Sequence, residues 1–207
     1  MSAAVTKTSI INAAAALLGS SERISDIESS GRLATASRAL WELTIRTLLA
    51  EHPWNFAIKR ATLNPGPPPA FGYSRSYGLP TDCVRVLASP DDCRSDGWRG
   101  EVENGAILTD ADGPVQVRYV SSGPIDDCGR WSPHFAQAAI YALAMALAED
   151  LTGSESVDTK LGRRAEDALM RAKRVDSLET HRGSQGKVRH SSRWLDGQAR
   201  PFNYWER

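Results

Sequence analysis

The stretch His52-Pro53-Trp54-Asn55-Phe56-Ala57-Ile58-Lys59-Arg60 separates a helical part of the chain from an extended part. Pro53 has no backbone N–H and biases the residue before it away from helical angles, so a preceding helix is predicted to end there. Trp54, Phe56 and Ile58 then alternate with smaller or polar residues, which is the period of a strand with one buried face. The stretch therefore predicts a corner between two architectures, with Pro53, Trp54 and Phe56 as the hinge.

Apolar periodicity before the corner predicts two helices. The first spans about residues 8–18 and has Thr6 or Thr8 available as its N-cap. The second spans residues 32–51 and carries two apolar stripes. One stripe contains Leu33, Ala36 or Ser37, Leu40, Leu43, Thr47 and Leu48, and the other contains Trp41, Ile45 and Leu49. Two stripes require two packing neighbours, in a bundle or in another subunit.

Residues 53–131 contain short apolar segments separated by proline- and glycine-rich turns, which is typical of a small β-rich insertion. Short strands are predicted around Phe71, Tyr73 and Tyr77, around Val84, Val86 and Leu87, around Ile107 and Leu108, and around Val115, Val117, Tyr119 and Val120. The prolines at 67–69 predict a loop, because consecutive prolines remove the donors that a strand ladder needs. Asp112-Gly113 predicts a hairpin turn, which Pro114 lengthens or places at a strand edge. These signals are typical of antiparallel strands.

Two further helices are predicted after the insertion. Ser132 and Pro133 suit the cap and first turn of a helix over residues 132–151, which is apolar on almost every side and so belongs at the centre of a bundle. The next helix, over residues 155–178, has one apolar stripe and belongs on the outside. The predicted fold is α+β. A four-helix bundle (1–52 and 132–178) carries a β-rich insertion (53–131) between helices 2 and 3 and is followed by an extended C-terminal arm (179–207).

The predicted arm has an unusual composition. It contains the apolar residues Trp194, Leu195, Phe202, Tyr204 and Trp205 together with Arg193, Arg200 and Arg207. Exposed aromatic residues in such number must dock somewhere, and aromatic residues with arginines are typical interface anchors. The arm is therefore expected either to fold back on its own bundle or to bind a different protein.

Composition limits the classes of function. The 207 residues contain 25 basic and 25 acidic side chains, so no net charge points to nucleic acid or to an acidic substrate. Residues 88–131 hold nine acids against four bases and residues 156–207 hold twelve bases against seven acids, which suits copies or partners that meet through opposite faces, or a plain solvated surface. Three cysteines without metal-site spacing predict synthesis in a reducing compartment. We expect no membrane segment.

Motifs that carry chemistry are scarce. The four histidines, His52, His134, His181 and His190, have no paired spacing that would hold zinc or orient a base. The acids at 91, 92 and 96 lack the regular oxygen spacing and closing glutamate of a calcium loop. No glycine turn has a phosphate-loop lysine, and no cysteine or serine lies in a recognisable nucleophile motif. The sequence therefore predicts no catalytic residues, no metal and no cofactor.

The order of four pieces resembles a known family. These are the Pro-Trp-Asn-Phe corner after a helix, the segment LPTDCVRVL from Leu79 to Leu87, the segment ILTDADGPVQVRYV from Ile107 to Val120, and an alanine-rich helix after Trp131. From about Ile10 to the C-terminus the chain resembles the bacteriophage tail tubular protein A family, the head-to-tail connector adaptors. The loops at Pro67-Pro68-Pro69 and Gly97-Trp98 have no matched counterpart in the family, which leaves the tail-side surface open.

The resemblance implies a structural virion protein rather than an enzyme. It implies a ring, commonly of twelve copies, made in the host cytoplasm and located in the virion neck between the portal protein and a tail or nozzle protein. Double-stranded DNA would pass through the channel without sequence-specific binding. The arm would grip the portal, and part of the β-rich insertion would face the tail. The residues expected to dock on the portal are Trp194, Leu195, Arg200, Phe202, Tyr204 and Trp205.

Two other classes of function are alternatives to this one. A small enzyme or ligand-binding protein could use a pocket between the bundle and the insertion, although no residue constellation points to its chemistry. Sequence-specific DNA recognition is disfavoured, because no helix face carries enough basic residues for the necessary phosphate contacts.

Overall fold

The computed structural model describes residues 5–87, 99–152 and 156–181. The helices are α1 (Lys7–Leu17), α2 (Arg32–Glu51), α3 (Pro133–Thr152) and α4 (Ser156–His181). The strands are β1 (Ile58–Leu63), β2 (Arg75–Gly78), β3 (Cys83–Leu87), β4 (Gly100–Glu103), β5 (Ala106–Thr109) and β6 (Val115–Ser121). The predicted α+β class, with four helices and antiparallel strands between the second and third, is confirmed. Helix α4 continues to His181, past the predicted end at 178, and the rest of the predicted arm lies outside the described residues.

Local capping explains where two of the helices begin. At α1, Thr6 and Ser9 bond reciprocally through side chain and backbone, which satisfies donors that the first turn leaves free. At α3, the Ser132 hydroxyl accepts the backbone N–H of Phe135 at 3.2 Å, and Pro133 occupies the first helical position. Of the two candidates for α1, Thr6 is the N-cap, and the predicted cap at Ser132 is confirmed.

Helix α3 lies at the centre of the helical core, as its all-round apolar sequence predicts. It packs against α1, α2 and α4. Its buried side chains include Phe135, Ala138, Ala139, Leu143, Ala144 and Leu147. The alanines let the neighbouring helices approach closely, because they add little volume between the axes.

Helix α2 has the two neighbours that its two stripes require. It packs against α3 on one side and against β3, β6 and the turn at Gly123–Ile125 on the other. The indole N–H of Trp41 donates to the carbonyl oxygen of Ile125 and fixes the second contact. One of the two apolar stripes is not fully buried, however, because the side chain of Leu43 remains 67% exposed.

The strand predicted to start at Trp54 starts later. Residues Asn55–Ala57 form one turn of 3₁₀ helix, and β1 begins at Ile58. Here the backbone N–H of Ala57 donates to Trp54, and that of Asn55 donates to the side chain of Asp176 on α4. These bonds outweigh the alternating pattern, which explains why the prediction was wrong at this point.

The β-rich region consists of two three-stranded antiparallel sheets. Sheet A has the order β1-β6-β3 and packs beside the helices, whereas sheet B has the order β2-β5-β4. The second core cluster contains side chains from both sheets, among them Leu63, Tyr77, Ile107, Val115, Val117 and Tyr119.

One turn prediction and one strand prediction in the β-rich region need correction. The chain bends at Gly113, which has φ +80°, but this segment connects β5 to β6 in different sheets and makes no hairpin. The two-residue hairpin turn is Asn104-Gly105, whose residues have φ of 47° and 72° and join the paired strands β4 and β5. Phe71 and Tyr73, predicted to lie in a strand, precede β2.

Candidate functional site

The corner predicted as a hinge is packed into the helical core. The Trp54 side chain is fully buried, and its indole N–H donates to the carbonyl oxygen of Leu48 at 2.8 Å. The centre of its ring lies 4.8 Å from that of the Phe135 ring in an edge-to-face arrangement. The Phe56 ring also contacts the Phe135 ring, with their centres 4.9 Å apart. Pro53 and Phe56 are half-buried. The structure thus brings these three corner residues together, while their movement as a hinge stays a prediction.

The aromatic contacts continue from the corner into the bundle. The ring of Trp131 lies 4.9 Å from Phe135 and stacks on Trp41 at 6.0 Å. The indole N–H of Trp131 donates to the carbonyl oxygen of Pro124 at 2.8 Å. One connected set of rings therefore joins α2, the corner, α3 and the turn that precedes α3. Each indole N–H in this set has a partner, as burial of tryptophan requires.

A buried carboxylate on α4 holds the corner from the other side. Asp176 is 4% exposed and accepts the backbone N–H of Asn55 at 3.1 Å, while the Asn55 side-chain amide donates to the Asp176 carbonyl oxygen at 2.9 Å. The Nε2 atom of His52 lies 3.2 Å from the same carboxylate. Three contacts thus tie the end of α4 to the chain segment that leaves α2.

Burial has the largest effect on the pKa of Asp176 at its contact with Asn55 and His52. Burial raises the pKa of Asp176, and the Asn55 N–H and the His52 ring oppose that shift. Beside it, Lys173 donates to Glu51 at 2.8 Å, and this bond lowers the pKa of the Glu51 carboxyl. The carboxylate of Asp176 is an acceptor for these donors, so its role here is to position the corner.

Sequence reasoning missed Asp176, although a signal was present. Asp176 follows Ala168 and Ala172 at four-residue spacing, on the stripe that α4 buries. An acid on a buried helical stripe requires donors in the folded protein, because an unpaired buried carboxylate is costly. The polar Asn55 at the corner supplies two of those donors.

A second polar cluster centres on Asp82, inside the segment LPTDCVRVL. Its carboxylate accepts from Lys59 Nζ at 2.7 Å, from the Tyr119 hydroxyl at 3.0 Å and from the Ser121 hydroxyl at 2.9 Å. The Asp82 carbonyl oxygen accepts the backbone N–H of Ser122 at 2.8 Å. Asp82 therefore links all three strands of sheet A, and this accounts for an acid in the turn before β3.

The pKa of Asp82 and the pKa of Tyr119 shift in opposite directions. The Lys59 hydrogen bond, aided by the two hydroxyls, lowers the pKa of Asp82 despite its partial burial. Burial first, and then the neighbouring Asp82, raises the pKa of Tyr119 to about 12. The tyrosine therefore stays protonated and acts as a donor to the carboxylate.

The proline loop before β2 presents an aromatic side chain to solvent. Phe71 is 88% exposed. The base of the loop is fixed, because the backbone N–H of Gly66 donates to Ser76 at 2.7 Å and the Ser76 hydroxyl donates to the Pro67 carbonyl oxygen at 2.5 Å. The backbone N–H of Ser74 donates to the Asp110 carboxylate at 2.8 Å on the other side. An exposed ring on a fixed loop is a candidate contact for another protein.

The other predicted site lies outside the described residues. Its members are Trp194, Leu195, Arg200, Phe202, Tyr204 and Trp205. Among residues 5–87, 99–152 and 156–181 there is no group of three or more His, Cys, Asp or Glu side chains that could hold a metal ion. Within the same part of the chain, every helix is too short or too polar to cross a bilayer.

A groove of about 360 Å³ lies between the helices and the turn after β6. It is the geometric counterpart of the pocket considered for a small ligand-binding protein. Its charged lining residues include Lys7 and Asp126, which form an ion pair at 2.6 Å, and Glu42 and Arg46, which pair at 3.4 Å. Each of these four side chains therefore already has a partner of opposite charge at the groove.

Comparison of the chain with protein-family models and with curated proteins gives no match.

Proposed function

We propose that this chain is a structural protein of a bacteriophage virion, a head-tail connector adaptor. Copies of the chain form a ring, of about twelve as the resemblance implies, beneath the portal, extend the DNA channel and offer a platform to the next tail protein. The protein is made in the host cytoplasm and functions in the virion neck. DNA passes through the ring without sequence-specific contacts, and no cofactor takes part.

The observation that carries the proposal is the order of the four sequence pieces that resemble the tail tubular protein A family. Two of these pieces hold the β-rich region in place. The Pro-Trp-Asn-Phe corner is bonded to Asp176 on α4, and Asp82 of the LPTDCVRVL segment joins the strands of sheet A. Their roles are architectural, which supports a function in assembly.

The distribution of exposed apolar side chains also supports an assembly protein. Among the described residues, Leu43, Phe71, Met170 and Leu178 are each more than 60% exposed. Single exposed apolar residues are ordinary on a soluble protein, but here they accompany an arm sequence with three further aromatic residues and a leucine-tryptophan pair. Heterologous ring contacts and portal contacts would cover such residues.

The proposal is tested by binding to the cognate portal ring. The full chain and a variant that ends after Val188 are mixed separately with purified portal, and the complexes are separated by size. We expect the full chain to co-migrate with the portal, whereas the shortened chain keeps its helical circular dichroism but does not bind. Binding by the shortened chain, or absence of binding by the full chain, would contradict the proposal.

Single substitutions sharpen the same experiment. Trp205→Ala in the arm is compared with Phe71→Ala in the proline loop, since both remove an aromatic ring. We expect weaker portal binding only for Trp205→Ala, because the proposal assigns the arm to the portal and the β-rich region to the tail side. Equal loss in both variants would count against this assignment of surfaces.

The alternative is a small enzyme or ligand-binding protein that uses the groove between the helices and the β-rich region. The groove of about 360 Å³ gives that alternative a location. The ion pairs within it favour the adaptor, because its charged side chains pair with one another rather than pointing together at one ligand.

A further inference from the structure

The edge of sheet B that β4 forms is open in the described part of the chain. Strand β4 comes last in the order β2-β5-β4, and all four of its residues are exposed. The opposite edge is covered, because Gly66 bridges to Ser76 of β2 and the Ser76 hydroxyl donates to the Pro67 carbonyl oxygen. In an antiparallel sheet, alternate residues of an edge strand point their backbone N–H and C=O groups away from the sheet. Strand β4 can therefore accept a further strand.

The side chains of sheet B are also incomplete at this edge. Tyr77 of β2, Ile107 of β5 and Val102 of β4 form one row across the sheet. Tyr77 and Ile107 are fully buried in the second core cluster, whereas Val102 is 52% exposed. Val102 therefore lies at the open end of an apolar row. An apolar residue in a further strand would extend the row and cover Val102.

Strand β4 is the acidic edge of the β-rich region. Glu101 and Glu103 stand on either side of Val102 in its sequence. Each of the other three edge strands carries an arginine, and these are Arg60 on β1, Arg75 on β2 and Arg85 on β3. A basic strand would therefore meet like charge at those three edges and opposite charge at β4.

The two glutamates can accept basic partners. Glu101 lies beside Tyr73, because burial and then the charge and hydrogen bond of Glu101 raise the pKa of that tyrosine. An ionised carboxylate has about four acceptor sites, so one hydroxyl leaves room for a base. No ion pair joins Glu101 or Glu103 to another residue within 5–87, 99–152 and 156–181. The edge therefore suits a strand in which an apolar residue lies between two bases.

The sequence beyond His181 contains one such segment, Gly186-Lys187-Val188-Arg189. Val188 is the single apolar residue between His181 and Trp194, and valine is favoured in strands. When this segment runs antiparallel to β4, Val188 lies opposite Val102. Arg189 then lies opposite Glu101, and Lys187 lies opposite Glu103. Opposite charges in such cross-strand pairs stabilise a sheet.

We infer that residues 186–189 of this chain add to sheet B as a strand beside β4, with Val188 next to Val102. This is the strand-addition mode of recognition, in which the backbone supplies the bonds and the side chains supply the selection. Other occupants fit less well. Strand β4 of a second copy would place glutamates against glutamates, and the segment 88–98 would bring three aspartates to the same edge.

The position of α4 favours the chain's own segment over that of another copy. Asp176 bonds to Asn55 at the corner from which β1 leaves, so α4 ends near the β-rich region. The six residue steps from His181 to Lys187 span up to about 20 Å. A pair of short strands is weak on its own, but a tether of this length gives an effective concentration of about 1 mM. Residues 190–207 would then leave from the edge of sheet B.

A disulfide tests the pairing in the free protein. Val102→Cys and Val188→Cys are combined with Cys93→Ser, and the chain is oxidised with a glutathione buffer. Opposite Cα atoms in an antiparallel pair lie about 4.5–5.5 Å apart, which a disulfide can bridge. We expect a monomer with a 102–188 disulfide, seen on non-reducing gels and by peptide mass spectrometry. Val102→Cys with Ser191→Cys is the matched control, and it should link at least about tenfold more slowly.

A charge reversal tests the selection by the glutamates. Glu103→Lys in the 102–188 cysteine chain should slow the link by about threefold or more, and Lys187→Glu added to it should restore the rate. Circular dichroism checks that each variant keeps its helices.

Four outcomes would overturn the inference. They are no 102–188 disulfide, a disulfide that joins two chains, equal rates for positions 188 and 191, and no rescue by Lys187→Glu. Portal binding is measured separately. A chain that forms the internal disulfide but ignores the portal would keep this inference and contradict the proposed function.

Discussion

The carboxylate of Asp176 on α4 accepts the backbone N–H of Asn55, a residue 121 positions earlier in the chain. The bond joins the last turns of the fourth helix to the point at which the chain leaves the second. It replaces the strand that the local sequence favours with a turn of 3₁₀ helix. The orientation of the β-rich region relative to the helices therefore depends on one buried acid and on the aromatic rings packed beside it.

Removal of the Trp54 ring tests the packing of the corner. We expect Trp54→Ala to lower the free energy of unfolding by about 3–5 kcal/mol, because the side chain is fully buried and leaves a cavity. Urea denaturation provides the measurement. Trp54→Phe is the control, which keeps most of the ring volume but loses the bond to the Leu48 carbonyl oxygen, and it should cost less. An unchanged midpoint for Trp54→Ala would refute the role of the corner.

The charge of Asp176 should make stability fall as pH rises. Burial raises the pKa of Asp176, so the folded protein still binds a proton above the usual value of 3.8, where the unfolded chain has released it. Stability is then highest below that value and declines as pH rises through the raised pKa. We expect the unchanged protein to lose stability relative to Asp176→Asn as pH rises above 3.8 and through the raised pKa of Asp176. A contradicting result would be a stability difference between the two proteins that does not change with pH, or one that increasingly favours the unchanged protein as pH rises. Either result would show that the hydrogen-bond donors to Asp176 outweigh its burial.

Asp82 should have the opposite effect on stability. The Lys59 bond lowers the pKa of Asp82, so its stabilisation is complete above the unfolded value of 3.8 and is lost as pH falls through the lowered pKa. We expect Asp82→Asn to be less stable than the unchanged protein at neutral pH and to approach it in acid. Asp112→Asn is the matched control, since Asp112 also pairs with a base but is 84% exposed and should change stability little. Equal effects of the two substitutions on stability would contradict the stabilising role of the Asp82 contacts.

The two aromatic residues that flank the start of β2 should differ sharply. Phe71 is exposed, so Phe71→Ser should change the free energy of unfolding by less than about 0.5 kcal/mol. Tyr77 is fully buried and its hydroxyl lies 2.8 Å from the carbonyl oxygens of Ala111 and Gly113, so Tyr77→Ala should cost about 3–5 kcal/mol. Thermal unfolding of both variants measures the difference. A large loss for Phe71→Ser would mean that the loop belongs to the core.

The helices could be predicted because their signals are local. Caps such as Ser132 and the all-round apolar sequence of α3 determine where the helix begins and that it lies at the centre, whatever the rest of the chain does. The β-rich region was harder, because strand partners are distant in sequence. Asn104-Gly105 is the stronger hairpin signal, but β4 beside it has no buried residue to mark it as a strand, so the turn was missed.

The contact between Asp176 and Asn55 could not be predicted from the sequence of the corner alone. The alternation from Trp54 to Ile58 is that of a strand, and only a donor–acceptor match with α4 overrides it. The buried stripe of α4 does contain Asp176, but nothing local shows that Asn55 is its partner. Tertiary hydrogen bonds of this kind are found only when both elements are placed.

The stoichiometry of the complex with the portal tests the central claim most directly. Purified chain is added in excess to the cognate portal ring, and the subunits are counted by native mass spectrometry or by electron microscopy. We expect one chain per portal subunit, arranged as a closed ring on the portal's tail-facing side. A portal ring that remains bare, or that binds a few scattered copies without ring closure, would contradict the assignment to the virion neck.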